Sequence, residues 1–291
     1  MTIENIRTVA VLGAGTMGNG IAHVFARSGY DVILRDVEES FLVRASDTIA
    51  KNLDREVKKG KIAEGDKSKI LGRIHTTTDL SEIARADFAV EAVPERLDVK
   101  LAVLREADKL LRPEVILASN TSSISVTTLA AATGRPDRVI GMHFMNPVPV
   151  MTLVEVIRAL QTGDETFQTT MALCERLEKK PVAVNDAPGF VSNRVLLPMI
   201  NEAAFAVMEG VATAEAVDAI MKLGMNHPMG PLELADFIGL DVCVHILNVL
   251  HEGFGDSKYR ACPLLRKMVA EGWLGRKSGR GFYSYASQKQ A

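Results

Sequence analysis

The sequence predicts an α/β fold: an N-terminal doubly wound parallel sheet with a helical hairpin inserted, followed by an all-α C-terminal domain. Three observations carry this reading. Short apolar runs alternate with amphipathic helical stretches through the first two thirds of the chain, the pattern of a parallel sheet with crossover helices. From Phe190 onward the pattern is helical throughout. At 291 residues the chain is long for a single core. The turn Asp186-Ala187-Pro188-Gly189 marks the boundary, giving domains of residues 1–186 and 187–291.

The first element is the most specific. Val9–Leu12 reads as a buried strand and runs into Gly13, Gly15 and Gly18, spaced G-x-G-x-x-G. A helical pattern follows, with Ile21, Val24 and Phe25 on one face, and a second apolar run, Val32–Leu34, ends at Asp36. Gly13 permits a tight turn, Gly15 lets the backbone approach a pyrophosphate, and Gly18 lets helix and strand pack closely. The helix N-terminus offers N–H groups and a positive dipole end to phosphates. Asp36 stands where a carboxylate hydrogen-bonds a ribose diol, so a Rossmann-type dinucleotide site is expected, with NAD favoured over its 2′-phosphorylated form. Arg35 is the complication, since a guanidinium there can pair with that phosphate, but successive strand residues face opposite ways and Arg35 is expected to point away from Asp36.

The charged stretch Glu38–Gly72 keeps a helical stripe through Leu42, Ile49, Leu53 and Val57 and breaks at Gly60, as a helical hairpin would. Lys51, Lys58, Lys59 and Lys61 cluster on it, either as a solvated face or as a contact for a phosphate handle. His75 and Thr76–Thr78 read as a loop. Asp87–Val93 is a strand, Leu97–Leu111 a helix, Val115–Ala118 a strand that ends in the polar run Ser119–Ser123, at the sheet end where open α/β folds bind ligands. Arg138–Met142 and Met151–Val156 are further strands, Asp164–Lys179 a helix, and Val182–Val184 a last short strand. Five helical segments then lead to a glycine-rich, aromatic tail. Several are apolar on more than one face, which suggests burial against another subunit.

Composition excludes several classes. Net charge is −2, which gives no electrostatic case for a nucleic-acid or membrane-surface partner. No apolar run has membrane-spanning length, and the N-terminal residues lack the basic and apolar regions of a targeting peptide. Cys174, Cys243 and Cys262 lie far apart without metal-ligand spacing, so no metal is expected and a reducing, cytoplasmic setting is.

Of the six histidines, His23 is expected to pack, and His227, His245 and His251 have no suggestive acidic partner. His143 follows a buried strand at the ligand end of the sheet, and Glu155 comes twelve residues later, after a turn with Pro147 and Pro149. The chain can double back there and set the carboxylate beside the imidazole. A carboxylate on one ring nitrogen fixes the tautomer and stabilises the imidazolium, leaving the other nitrogen to exchange a proton with an alcohol or carbonyl. Beside a nicotinamide, this suits alcohol–ketone interconversion. A core histidine bonded to backbone is the plainer alternative.

The motifs GAGTMG (13–18), E-A-V-P-E (91–95), ASNTSS (118–123), GMHFMNPVPVM (141–151), LVEV (153–156), PGFVSNR (188–194), HPMGPLEL (227–234) and GRKSGRGFY (275–283) span the chain, which closely resembles the 3-hydroxyacyl-CoA dehydrogenases, most of all the short bacterial 3-hydroxybutyryl-CoA dehydrogenases. The resemblance implies His143 as catalytic base, Glu155 as its partner, and Ser122 and Asn193 as hydrogen-bonding partners of the reacting oxygen and the imidazole. It implies NAD contacts from Gly13, Gly15, Thr16, Met17, Gly18, Asp36, Ala92, Glu95, Lys100, Asn120, Ser122, His143, Asn146 and Lys277. It puts Lys51, Lys58 and Lys59 where the family contacts coenzyme A, and it implies an acyl-CoA substrate of L-3-hydroxy (S) configuration, a homodimer and domain closure over the reacting groups. Met145 departs from the family, which usually has phenylalanine there. A 3-hydroxyisobutyrate-type dehydrogenase would share the glycine loop but use a lysine base, against which the His143–Glu155 pair argues. A non-enzymatic role, as in the lens crystallin of this superfamily, is the other class.

Overall fold

The computed structural model describes residues 3–285. By contact, the chain divides into two compact units, Met1–Ala187 and Pro188–Ala291.

The first unit is built on one eight-stranded sheet. Its strands are β1 (Thr8–Leu12), β2 (Asp31–Arg35), β3 (Ile74–Thr77), β4 (Phe88–Glu91), β5 (Ile116–Ser119), β6 (Val139–Phe144), β7 (Leu153–Arg158) and β8 (Lys180–Asn185), in the order β3-β2-β1-β4-β5-β6-β7-β8. The strands β4, β5 and β6 are buried along their whole length. Helices cover both faces of a parallel sheet, so its central strands are continuous apolar runs rather than alternating ones. The helices of this unit are α1 (Thr16–Arg27), α2 (Glu39–Lys58), α3 (Glu64–Gly72), α4 (Leu97–Leu110), α5 (Val126–Ala130) and α6 (Asp164–Arg176). The hairpin inserted after β2 is α2 and α3, broken by Gly60 at φ 66°. The reversal of order at β1, with β2 and β4 on its two sides, opens the crevice where such sheets take ligands.

One pairing differs from the rest. β6 and β7 are antiparallel, joined by residues 145–152, which include a cis Asn146–Pro147 bond. Their register sets His143 opposite Glu155.

Two sequence readings need correction, and one helix was not read at all. His75 and the threonines after it are not a loop: Ile74–Thr77 forms β3, a half-exposed edge strand whose polar side chains hid its periodicity. The helix expected over Asp164–Lys179 stops at Arg176, because Glu178 takes a left-handed conformation (φ 57°) and turns the chain. The short helix α5 had no sequence signal beyond Ser125, whose hydroxyl caps it by accepting from Thr128 N–H.

The second unit comprises α7 (Ser192–Met208), α8 (Ala214–Leu223), α9 (Pro231–Ile238), α10 (Leu240–Phe254) and α11 (Pro263–Ala270), around a core of its own. Two buried carboxylates tie it together. Asp218 accepts from the N–H groups of Leu232 and Glu233 at 2.8 Å and from the Tyr283 hydroxyl at 2.7 Å. Asp236 accepts from the N–H groups of Phe282 and Tyr283, which fastens the aromatic tail. Among the described residues no single helix is long and apolar enough to cross a membrane; α9 and α10 pass that test only as a pair bent by 98°.

Candidate active site

The glycine loop has the shape a dinucleotide needs. Gly13 sits at φ 105°, and a Cβ there would lie 2.6 Å from the Ala92 carbonyl oxygen. A Cβ on Gly18 would overlap the Gly13 carbonyl, so helix and loop meet only because both positions are glycine. Gly15 faces open space, with nothing within 4 Å of a Cβ position. It is also the N-cap of α1, and no side chain caps that end, so its donors and dipole remain available to an anion. Thr16 is exposed and Met17 half-exposed in the first turn.

Asp36, just past β2, is pinned beside this loop. One carboxylate oxygen accepts from Ala14 N–H at 2.6 Å and the other from Val37 N–H at 2.7 Å. Each oxygen keeps acceptor capacity for a ribose hydroxyl. Hydrogen bonds from Ser81 hold the Asp79 carboxyl below its ordinary range, with a small contribution from the Arg35 charge. The residues present therefore fit a dinucleotide with an unphosphorylated ribose.

At the other half of the crevice, the ends of β4 and β5 are locked by an ionic network. Lys100, 1% exposed, donates to Glu91 at 2.7 Å and pairs with Glu95 at 3.2 Å. Glu91 also accepts from Val93 N–H at 2.7 Å and from the Ser119 hydroxyl at 2.5 Å. Glu95 accepts from the Thr121 hydroxyl at 2.6 Å and from the N–H groups of Ser122 and Ser123 at 2.8 and 3.0 Å. Burial pushes the Glu95 carboxyl up, but the Lys100 charge and these hydrogen bonds outweigh it and hold the group below its usual value. The network fixes the 119–123 loop at the end of β5. Ser119–Ser123 was read from the sequence as a polar run at the ligand end, but its bonding to Glu91 and Glu95 was not; a glutamate inside the apolar run DFAVEAV, nine residues before a lysine, was the available signal. Lys100 is thus a frame residue whose ammonium is held by two carboxylates.

Asn120 links this frame to the histidine. Its side-chain oxygen accepts from Phe144 N–H at 3.0 Å, one residue beyond His143. His143 Nδ1 stands 2.8 Å from Glu155 Oε2, with the two residues 8% and 3% exposed. Residues directly opposite on an antiparallel pair share a face, which is why this register produces the contact. Asn146 is exposed in the turn that follows, and Ser122 and Ala92 are half-buried at their strand ends.

The remaining expected residues belong to the helical hairpin and to the second unit. Lys51, Lys58 and Lys59 are exposed on α2 and at its end, with Arg55 between them on the same outward face. In the second unit, Asn193 is half-buried in the first turn of α7, and Lys277 is exposed and paired with Asp241 at 2.6 Å. Among the described residues no group of three or more His, Cys, Asp and Glu side chains could hold a metal ion.

Comparison with known sequences places this architecture in a class. Residues 8–187 match the 3-hydroxyacyl-CoA dehydrogenase NAD-binding domain and residues 189–285 the 3-hydroxyacyl-CoA dehydrogenase C-terminal domain, so the chain belongs to the 3-hydroxyacyl-CoA dehydrogenase family and its cofactor is NAD. It is 58% identical to a probable 3-hydroxybutyryl-CoA dehydrogenase of Deinococcus radiodurans, over 94% of this chain and 99% of that one. It is 54% identical to the 3-hydroxybutyryl-CoA dehydrogenase of Bradyrhizobium diazoefficiens, over 98% and 97% of the two chains. The crystal structure of (S)-3-hydroxybutyryl-CoA dehydrogenase from Ralstonia eutropha superposes with a TM-score of 0.95 at 51% identity, covering 97% of this chain and 99% of that one.

Two outcomes follow from this geometry. Lys100→Met leaves the buried Glu91 and the half-buried Glu95 without their cation and is expected to cost about 3–5 kcal/mol of stability, read by chemical denaturation. Asp36→Ala is expected to narrow the kcat/KM preference for NADH over NADPH by about ten- to a hundred-fold, through lost ribose hydrogen bonds and lifted repulsion. An unchanged preference would mean that another group reads the ribose.

Proposed function

We propose that this chain interconverts (S)-3-hydroxyacyl-CoA and 3-oxoacyl-CoA, with 3-hydroxybutyryl-CoA and acetoacetyl-CoA as its substrate pair, and that His143 is the general acid/base supported by Glu155. The observation that carries this is the buried 2.8 Å contact between His143 Nδ1 and Glu155 at the carboxyl end of β6. The names of the relatives support the substrate pair.

With Glu155 at Nδ1, the neutral imidazole keeps its proton on that nitrogen and turns the Nε2 lone pair to the substrate. When bound, the cofactor would supply the hydride acceptor for C3 as NAD in oxidation and the hydride donor as NADH in reduction. In oxidation His143 takes the 3-hydroxyl proton, and Glu155 stabilises the resulting imidazolium; in reduction His143 gives the proton back to the 3-oxo oxygen. The rigid 119–123 loop supports Ser122 as a hydrogen-bond donor to that oxygen. Asn193 belongs to the same assignment by its motif alone. Lys51, Lys58 and Lys59 are proposed as contacts for the charged nucleotide end of coenzyme A, a reading their exposure permits.

A homodimer formed through the helical unit is part of the proposal. It is supported by Val195, Val211, Ile220, Leu223 and Phe237, each more than half exposed on that unit. The buried, unpaired cysteines suit a cytoplasmic setting.

His143→Gln is expected to lower kcat for acetoacetyl-CoA reduction by about 10²–10⁴-fold while NADH binding, followed by fluorescence, is unchanged. Glu155→Gln should fall between this variant and the parent. Near-normal turnover without the imidazole would remove His143 from the reaction. For the lysines, charge reversal should raise KM for acetoacetyl-CoA and leave a truncated thioester unaffected. Equal effects on the two substrates would make the cluster a solvated helix face.

A further inference from the structure

One buried ammonium in the first unit plays no part in the chemistry described so far. Lys179 is 7% exposed. The left-handed turn at Glu178 ends the α6 segment and directs Lys179 inward, where Lys179 N–H donates to Cys174 C=O at 2.9 Å. Its ammonium donates to the carbonyl oxygens of Val148 at 2.6 Å and Met151 at 2.7 Å. Both carbonyls belong to the 145–152 turn that joins β6 to β7.

The same turn is held from a second side. A Cβ on Gly20, in α1, would lie 2.8 Å from the Val148 Cβ and 3.5 Å from Pro149 Cδ, so α1 and the turn pack in direct backbone-close contact. Next to Lys179, Lys180 N–H donates to the Thr152 carbonyl at 2.8 Å and starts the β8 pairing with β7. The turn is thus gripped at Val148, Met151 and Thr152, immediately before the strand that carries Glu155.

A cation in this position is costly unless the turn needs it. Burial pushes the Lys179 ammonium down to about 8, with repulsion from Arg27 adding to the effect; Glu178, Glu56 and Cys174 act in the opposite direction. Around it lies a titratable cluster drawn from three elements: His23 and Arg27 of α1, Glu56 of α2, and Glu178 after α6. Arg27 pairs with Glu56 at 3.0 Å and with Glu178 at 3.7 Å, and His23 Nε2 is 3.5 Å from Glu56. Among the described residues no carboxylate pairs with Lys179 itself; its hydrogen bonds go to the turn. A main-chain carbonyl bonded to a desolvated ammonium is held by a charge-assisted bond, stronger than the neutral bonds that hold most turns.

We propose that Lys179 is a positioning residue for catalysis, its ammonium clamping the 145–152 turn against Gly20 of α1 so that Glu155 stays aligned on His143. This rests on the dyad reading given above. The glycine loop and Asp36 are set by β1 and β2, outside the clamped turn, and Asn146 is the one expected NAD contact within it, so the clamp governs proton transfer more than cofactor binding. Misalignment of reacting groups by a fraction of an ångström to one ångström carries a large rate penalty.

The test compares Lys179→Met, Lys179→Arg and Gly20→Ala with the parent and with His143→Gln, in steady-state reduction of acetoacetyl-CoA by NADH and in thermal melts. Lys179→Met removes both donors at similar volume and is expected to lower kcat by about ten- to a hundred-fold, with KM for NADH within about two-fold of the parent. Lys179→Arg restores donors and charge and should recover most of the lost rate. Gly20→Ala displaces the turn from the opposite side with the ammonium intact, so it should show the same fall in kcat at unchanged KM for NADH. It decides the matter if Lys179→Met does not fold. Turnover near the parent's in either folded variant would overturn the proposal, as would a loss that Lys179→Arg does not relieve. If His143→Gln is itself near normal, the dyad reading fails; if His143→Gln is dead while Lys179→Met and Gly20→Ala are normal, only the clamp fails.

Discussion

The antiparallel step from β6 to β7 is the constraint on which the rest of the site depends. Strands β1 to β6 run in one direction, and in such a sheet the side chains at the ligand end all come from strand termini. Reversing the next strand brings the start of β7 beside the end of β6. A residue near the beginning of one then faces a residue near the end of the other, twelve positions away in sequence. Because side chains alternate along a strand, a slip of one residue would place Glu155 on the opposite face from His143. The register therefore sets the proposed dyad as much as either side chain does.

Around that step the protein spends buried charge on geometry. Lys100 with Glu91 and Glu95 secures the ends of β4 and β5 and the loop beyond, and Asn120 carries the same order across to β6 through Phe144. Desolvated ions contribute little net stability but are expensive to disrupt once paired, which makes them suited to holding loops in a single arrangement. The cofactor end uses a different device: glycine where a Cβ would collide at Gly13 and Gly18, and a pinned carboxylate at Asp36. Both devices leave polar groups in place before the ligand arrives, which is what preorganisation of a hydride and proton transfer requires.

The parts of this arrangement that were legible in the sequence are the local ones. A strand, three spaced glycines, a helix and a terminal acid follow one another within a few turns, and their spacing states their purpose. The His143–Glu155 contact was legible because a short proline-containing turn leaves the chain few ways to go. Contacts between distant segments were not: nothing near Glu91 announces Ser119, and nothing near Lys179 announces the carbonyl of Val148. Edge strand β3 was read as loop because three of its four residues are polar and only Thr77 is fully buried, so no apolar periodicity marks it. Lys179 was read as the last residue of a helix, since a left-handed glutamate carries no compositional signal comparable to glycine's.

The central claim is that Glu155 holds the proton of neutral His143 on Nδ1 and so presents Nε2 to the substrate. Nitrogen-15 NMR of the histidine side chains in the NADH complex tests it most directly, with His143 assigned by comparison with His143→Gln. The account predicts a protonated Nδ1 and an unprotonated Nε2 for His143 in its neutral form, with that preference lost in Glu155→Gln. A neutral imidazole that carries its proton on Nε2 in the parent enzyme would contradict it.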